Sequence, residues 1–154
     1  MSGREYPEHP RVGVGGVVIE PGRVLLVRRG SEPMQGEWSL PGGLVELGEE
    51  LTQALRREIR EETGLRVAVG PMVEVLDRIH RDAHGKVRFH YLLVDFLCRA
   101  ESGKLEAASD AAAAQWVAPG DLGQFHLRAE TLQVIEKALE LAVSNEQQEI
   151  PRRE

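Results

Sequence analysis

GLVELGEELTQALRREIREETGL, residues 43–65, packs six of the chain's 25 acidic residues into the 17 positions from Glu46 to Glu62. Glu50 to Thr63 contains neither Pro nor Gly and reads as a helix, closed by Gly64 at a C′ position. On a wheel of ~100° per residue with Leu51 at zero, Leu55 falls at about 40°, Ile59 at about 80° and Ala54 at about 300°. Those four positions define the buried stripe. Glu58 falls at about 340° and Glu62 at about 20°, inside that stripe, with Glu61 beside it at about 280°. Arg56 and Arg60 point away. Burying an unpaired carboxylate is expensive, and three on one face repel one another. Convergence on a divalent cation would relieve both costs, and Mg²⁺ is a hard ion suited to carboxylate, water and phosphate oxygens. The alternative is a solvated acidic face with i,i+4 pairs to arginines.

Outward from this stretch, the chain has 154 residues, enough for one domain with a sizeable core. With 42% apolar and 29% charged residues it reads as globular, not disordered, and no apolar run is long enough for a spanning helix. Met1 to Pro10 is polar and shows no signal pattern, so a cytoplasmic protein is expected. The single Cys98 excludes an internal disulfide and reads as a small buried hydrophobe. A net charge of −6 argues against nucleic acid and anionic membrane as partners, but leaves a small phosphorylated ligand open.

Arg11 to Glu20 and Arg23 to Arg28 read as a hairpin around Pro21-Gly22. Gly30 to Leu47 reads as loop with a short extended piece at Trp38 to Leu40. Val67 to Ile79 and Lys86 to Arg99 read as long strands around the turn at 82–85. The second is apolar on both alternation sets, as a central strand covered on two faces would be. Gln115 to Ala118 is a further strand and Thr131 to Val143 an amphipathic helix. The order predicts an α/β (α+β) single domain: a mixed sheet between two main helices, with its core over about 11–143. Residues 1–10 and 144–154 are expected to be flexible tails.

Gly43-x5-Glu49-x7-Arg57-Glu58-Ile59-x-Glu61-Glu62-x-Gly64-Leu65 resembles the complete signature of the Nudix hydrolases. Trp38 to Gly43 looks like that family's approach to the motif, and Gln115-Trp116-Val117 like its late strand. The resemblance covers about residues 11–141 and implies an α/β/α sandwich. It implies hydrolysis of a diphosphate joined to another moiety, with Mg²⁺ as cofactor and Mn²⁺ as a possible substitute. By position, Glu58, Glu61, Glu62 and the Gly42 carbonyl become metal ligands, and Glu58 is also a candidate base. Arg57 would orient the glutamates through salt bridges that include Glu49. Gly43, Glu49 and Gly64 are structural members of the motif. Arg28, Arg29 and Glu46 are candidates for substrate binding, the two arginines being equally readable as solvated strand-end charges. The chemistry fits, because a diphosphate repels an attacking nucleophile until cations neutralise it.

The resemblance leaves two sources for the base, a motif glutamate or an acid from the loop at 101–114, which offers Glu106 and Asp110 ahead of four alanines. Asp110 suits better by its distance from Trp116, and reads equally as a turn or cap residue. ADP-ribose or a related nucleotide sugar is the favoured substrate. A nucleoside triphosphate pyrophosphatase and a non-catalytic nucleotide sensor are the alternatives. Arg81 stands where several ADP-ribose hydrolases carry a proline. Phe89, Tyr91, Phe125 and the histidines at 80, 84 and 90 could clamp a base, or serve as core and turn residues. The resemblance also admits a homodimer.

Overall fold

A computed structural model describes residues 4–149. β1 (Arg11–Glu20) and β2 (Arg23–Arg29) form the expected hairpin, followed by β3 (Trp38–Ser39) and β4 (Gly42–Leu44). Next come α1 (Leu51–Thr63), β5 (Leu65–Arg81), β6 (Val87–Gly103), β7 (Ala111–Val117), a 3₁₀ turn at Pro119–Phe125 and α2 (Ala129–Glu149). The seven strands make one mixed sheet in the order β3-β2-β1-β6-β5, with β4 on β1 and β7 on β2. β1 and β6 run parallel, pairing Arg11 with Tyr91 and Gly15 with Asp95; β5 and β6 are antiparallel.

β6 lies between β1 and β5, and helices cover both of its faces, which accounts for its two apolar sets. Val94, Phe96 and Cys98 pack with Ala54, Leu55 and Ile59 of α1. Leu97 packs instead with Val134, Ile135 and Ala138 of α2. Leu55, Ile59 and Ile135 are fully buried, each contributing about 1.5–3 kcal/mol. Helix α1 sits close on the sheet because β1 has Gly16 beneath it: a Cβ there would stand 2.9 Å from Ile59 Cδ1. No helix among the described residues is long and apolar enough to cross a membrane.

Several expectations are corrected. The segment read as loop contains β4, whose three residues are too few to show periodicity. The four alanines at 111–114 are strand, held by pairing with β2 rather than by their own weak strand preference. Helix α2 starts at Ala129 and continues through Glu149, so 144–149 are helical and not a tail; residues 150–154 lie outside the described residues. The N-terminal segment is docked: the Tyr6 N–H donates to Arg88 O at 2.7 Å, the Tyr6 hydroxyl to Asp82 Oδ2 at 2.9 Å, and Arg88 pairs with Glu5. Residues 1–3 of that predicted tail lie outside the described residues. Leu51 is 36% exposed, because the first residue of α1 precedes the helix's contact with the sheet.

Candidate metal and catalytic site

Helix α1 is fixed at both ends. At its start the Glu50 N–H donates to Gln53 Oε1 at 2.9 Å, closing a capping box. At its end Gly64 takes φ 78° and its N–H donates to Arg60 O at 2.9 Å. A side chain at Gly64 would also meet Lys104 O at 2.6 Å, so the left-handed stop and the close approach both require glycine.

Arg57 is the hub of the motif. Its Nε and Nη2 donate to the two oxygens of Glu49 at 2.7 and 2.9 Å, a bidentate pair. Nη1 donates to Glu58 Oε1 at 2.8 Å and to Glu61 Oε1 at 3.3 Å, and Nη2 also reaches the Leu44 carbonyl at 3.1 Å. Glu46 Oε2 stands 4.0 Å away at the rim. The Arg57 hydrogen bonds pull the Glu49 carboxyl down to about 2, and Glu49 in turn raises Arg57. Glu49 therefore serves as a permanent anion that aims the guanidinium.

Glu58 and Glu62 occupy the inner face of α1, where the wheel put them. The Glu58 carboxylate fills space that a Cβ on Gly43 would invade at 2.2 Å, so a side chain at Gly43 would displace that carboxylate. Glu62 is 6% exposed and its Oε1 accepts the Gly42 N–H at 2.9 Å. Gly42 is itself confined: a Cβ there would lie 2.0 Å from Val14 O. Burial raises Glu58 despite Arg57, with the Glu61 and Asp110 charges adding to the rise. Burial pushes Glu62 up to about 8, opposed by the Gly42 N–H, with Glu58 again adding to the rise. Glu61 is half exposed and turned toward Arg57.

One buried carboxylate, Glu62, and one half-buried, Glu58, with too little positive charge between them would suit a hard divalent cation. Among the described residues, no three His, Cys, Asp or Glu side chains are gathered tightly enough to cage an ion by themselves. Such side chains could hold an ion only together with water or other oxygen ligands.

An open cleft of about 740 Å³ runs past Glu58 and is lined also by Glu46, Arg4, Arg11 and Asp110. Asp110 reaches it because β7 pairs with β2 and the Gly30 N–H holds the Asp110 carbonyl at 2.8 Å. Glu106 does not line the cleft; its N–H is tied to Thr63 O at 2.9 Å. The two arginines separate at a bulge in β2. Arg29 is half-buried, donates to Pro33 O at 2.7 Å and lines a second, narrower pocket. Arg28 is exposed, with its guanidinium over the Trp38 ring at 6.0 Å, and lines neither space.

Of the residues suggested as a base clamp, only Tyr91 lines the narrower pocket; Phe89 borders the wider cleft, and His84 is exposed at a turn. Sequence reasoning missed Asp95, which lies in that pocket 6% exposed. The available signal was a lone acid within an otherwise apolar central strand. Cys98 is buried, its thiol pushed up to about 12 by burial, as the reading of a small hydrophobe requires.

Residues 9–139 match the model of the NUDIX domain. An ADP-ribose pyrophosphatase of Methanocaldococcus jannaschii is 37% identical over 108 residues, 70% of this chain and 62% of the relative. An oxidized purine nucleoside triphosphate hydrolase of Danio rerio is 36% identical over 106 residues, 65% of this chain and 61% of the relative. The chain thus spans less than two thirds of the length of either relative. The crystal structure of a MutT NUDIX hydrolase from Burkholderia pseudomallei is similar with a TM-score of 0.72 at 35% identity, covering 84% of this chain and 98% of that one. Matching family model, motif geometry and fold agree: this chain belongs to the Nudix family.

Proposed function

We propose that this protein is a Mg²⁺-dependent hydrolase of the diphosphate linkage in a nucleoside diphosphate joined to another moiety, with ADP-ribose or a related nucleotide sugar as substrate. Mn²⁺ is a workable substitute, since it takes the same oxygen ligands. The observation that carries the reading is the pair of inner-face carboxylates on α1, buried Glu62 and half-buried Glu58, with Glu58 lining a cleft that Asp110 also lines. The name of the archaeal relative supports the substrate class.

The residues divide the work. Glu58, Glu61, Glu62 and the Gly42 carbonyl hold the cation, which when bound neutralises the diphosphate and acidifies water. Arg57 positions Glu58 and Glu61 and is itself aimed by Glu49. Glu58 Oε1 is engaged by Arg57, whereas Asp110 stands in the cleft on a loop; Asp110 is the better placed proton acceptor. Arg29 faces the pocket side of the site and Glu46 its rim, where both can meet substrate. A cytoplasmic setting, where nucleotides and Mg²⁺ abound, completes the proposal.

A product assay with purified protein and Mg²⁺ tests it. AMP and ribose 5-phosphate from ADP-ribose support the reading. A nucleoside monophosphate and pyrophosphate from triphosphates alone would favour the activity named for the Danio rerio relative. Absence of turnover across both panels, with nucleotide binding intact, would identify a sensor instead.

A further inference from the structure

The sheet has an open edge at β5. This strand pairs with β6 on one side and stands last in the order β3-β2-β1-β6-β5. Its other side presents a row of backbone N–H and C=O groups that no strand among the described residues meets. The first half of that edge is blunted. Register shifts fall between Val69 and Met72 and between Met72 and Glu74, and Pro71 lies within the first. Bulges and proline both spoil an edge for pairing. Residues 74–80 are different, pairing with β6 without a shift from Glu74 opposite Asp95 to His80 opposite Phe89. The next shift skips Arg88 of β6, so the alternation of β5 itself continues to Arg81. Residues 74–81 contain neither Lys nor Pro, two common guards of an edge.

The two faces of this stretch differ. Glu74 and Arg78 point toward α2, where they pair with Lys137 at 3.6 Å and Glu130 at 2.6 Å. Val75, Asp77, Ile79 and Arg81 alternate onto the side of α1, since Val75 stands opposite Val94, which packs with that helix. Helix α1 does not reach the outer part of this face. Val75 and Ile79 are 44% and 45% exposed, and Leu92, opposite Asp77, is 37% exposed. Asp77 has no ion-pair partner among the described residues. Arg81 donates to the Gly85 carbonyl at 3.1 Å and leaves an acid unmet.

An open edge is completed by another extended strand. A second copy turned about a two-fold perpendicular to the sheet offers the same edge in antiparallel sense. Like faces then stay together, and the axis passes through a pair of identical residues. An axis at Leu76 opposes Glu74 to Arg78, whose charges are already paired, and brings Val73 from the bulged stretch opposite Ile79. An axis at Asp77 opposes two carboxylates, and one at Arg78 opposes two guanidinium groups; like charges directly opposite destabilise a pair of strands. An axis at Ile79 sets Ile79 on Ile79 and Asp77 against Arg81 twice, once on each side. Arg78 then faces His80, whose pKa burial holds below its ordinary value, so no second positive charge opposes it at neutral pH.

We propose that a second copy of this chain pairs antiparallel along β5, with the two Ile79 side chains at the two-fold axis and Asp77 of each copy against Arg81 of the other. The charge complementarity of that one register selects a second copy as the occupant of the edge. The inference does not depend on the reaction assigned to the motif.

Sedimentation equilibrium of the full chain, from about 1 to about 100 µM, reads the association directly. The mass should rise from 17.1 kDa toward twice that value. Asp77→Arg alone and Arg81→Asp alone each set like charges at both contacts, and each should weaken the dimer at least ~10-fold. The double variant restores opposite charges and should return to within about threefold of the wild type. Mixed in equal amounts, the two single variants should form a heterodimer, because one then brings only arginines to the contacts and the other only aspartates. Both positions are exposed, so the fold should survive, and circular dichroism checks that it does. A dimer that either single variant leaves unchanged, a double variant no tighter than the singles, or single variants that stay apart when mixed overturns the inference. A wild-type mass of 17.1 kDa at every concentration also overturns it and leaves the edge to a strand of another protein.

Discussion

Glu62 reaches back from the last turn of α1 to accept the Gly42 N–H at 2.9 Å. That bond fastens the motif helix to β4 and places the most buried carboxylate of the site beside the Gly42 carbonyl proposed to share its metal. Replacing Glu62 by Gln keeps an acceptor for Gly42 but removes the charge. Turnover with Mg²⁺ should fall by at least ~100-fold, and Glu58→Gln should do the same. Steady-state kinetics across a Mg²⁺ titration measure both. Unchanged turnover in both variants would sink the site assignment.

The pH dependence of stability follows from the same burial. Glu62 rises from an unfolded value of about 4.3 to about 8, and Asp95 from about 3.9 to about 6. Between those limits the folded protein holds more protons than the unfolded chain, so stability falls as pH rises. The sign is opposite for Glu49, held at about 2: its contribution is present above about 4.3 and lost as pH drops toward 2. In EDTA, denaturant unfolding should show stability declining from pH 5 to pH 8. Glu62→Gln should flatten that slope, and added Mg²⁺ should restore stability most at pH 8. A flat profile in EDTA contradicts the assignment.

Gly43→Ala tests whether carboxylate position matters apart from charge. The new Cβ would stand 2.2 Å from Glu58 Oε2, so the carboxylate must move. A displacement on the order of 1 Å costs about 100-fold in rate. Circular dichroism should remain native while kcat/KM drops; full activity would show that Glu58 has freedom the geometry denies.

Arg57 should not tolerate Lys. An ammonium is a point charge and cannot span both Glu49 oxygens while reaching Glu58. Arg57→Lys should lower turnover by at least ~10-fold and Tm by a few degrees. Kinetics and thermal unfolding on one preparation measure both, and a variant matching wild type in each would remove Arg57 from its role as hub.

Asp110 and Glu106 separate by position. Asp110→Asn should reduce kcat by ~100-fold or more and remove the acidic limb of its pH profile. Glu106→Gln, away from the cleft, should change kcat less than threefold. The reverse ranking would transfer the base to Glu106.

Much of this was legible in local patterns. The motif helix, its Gly64 stop and the inward Glu58 and Glu62 follow from helical period alone, because neighbours on a helix are set by chain geometry. The double apolar alternation of β6 announced a strand covered on both faces. The limits were equally local. β4 is too short for a period, and the alanines of β7 are strand only because β2 pairs with them. Arg28 and Arg29 are indistinguishable in sequence, and a bulge sends one to the pocket and the other over Trp38.

The sequence by itself determined the family and the identity of the motif carboxylates, since both are encoded within one continuous stretch. Only the tertiary structure decided that Asp110 joins Glu58 at the cleft and that Glu106 does not. It alone placed Asp95 over Gly15 in a pocket with Tyr91. Those neighbours meet through strand pairing between distant segments, and register between strands is a product of the whole sheet's packing, which no local period encodes.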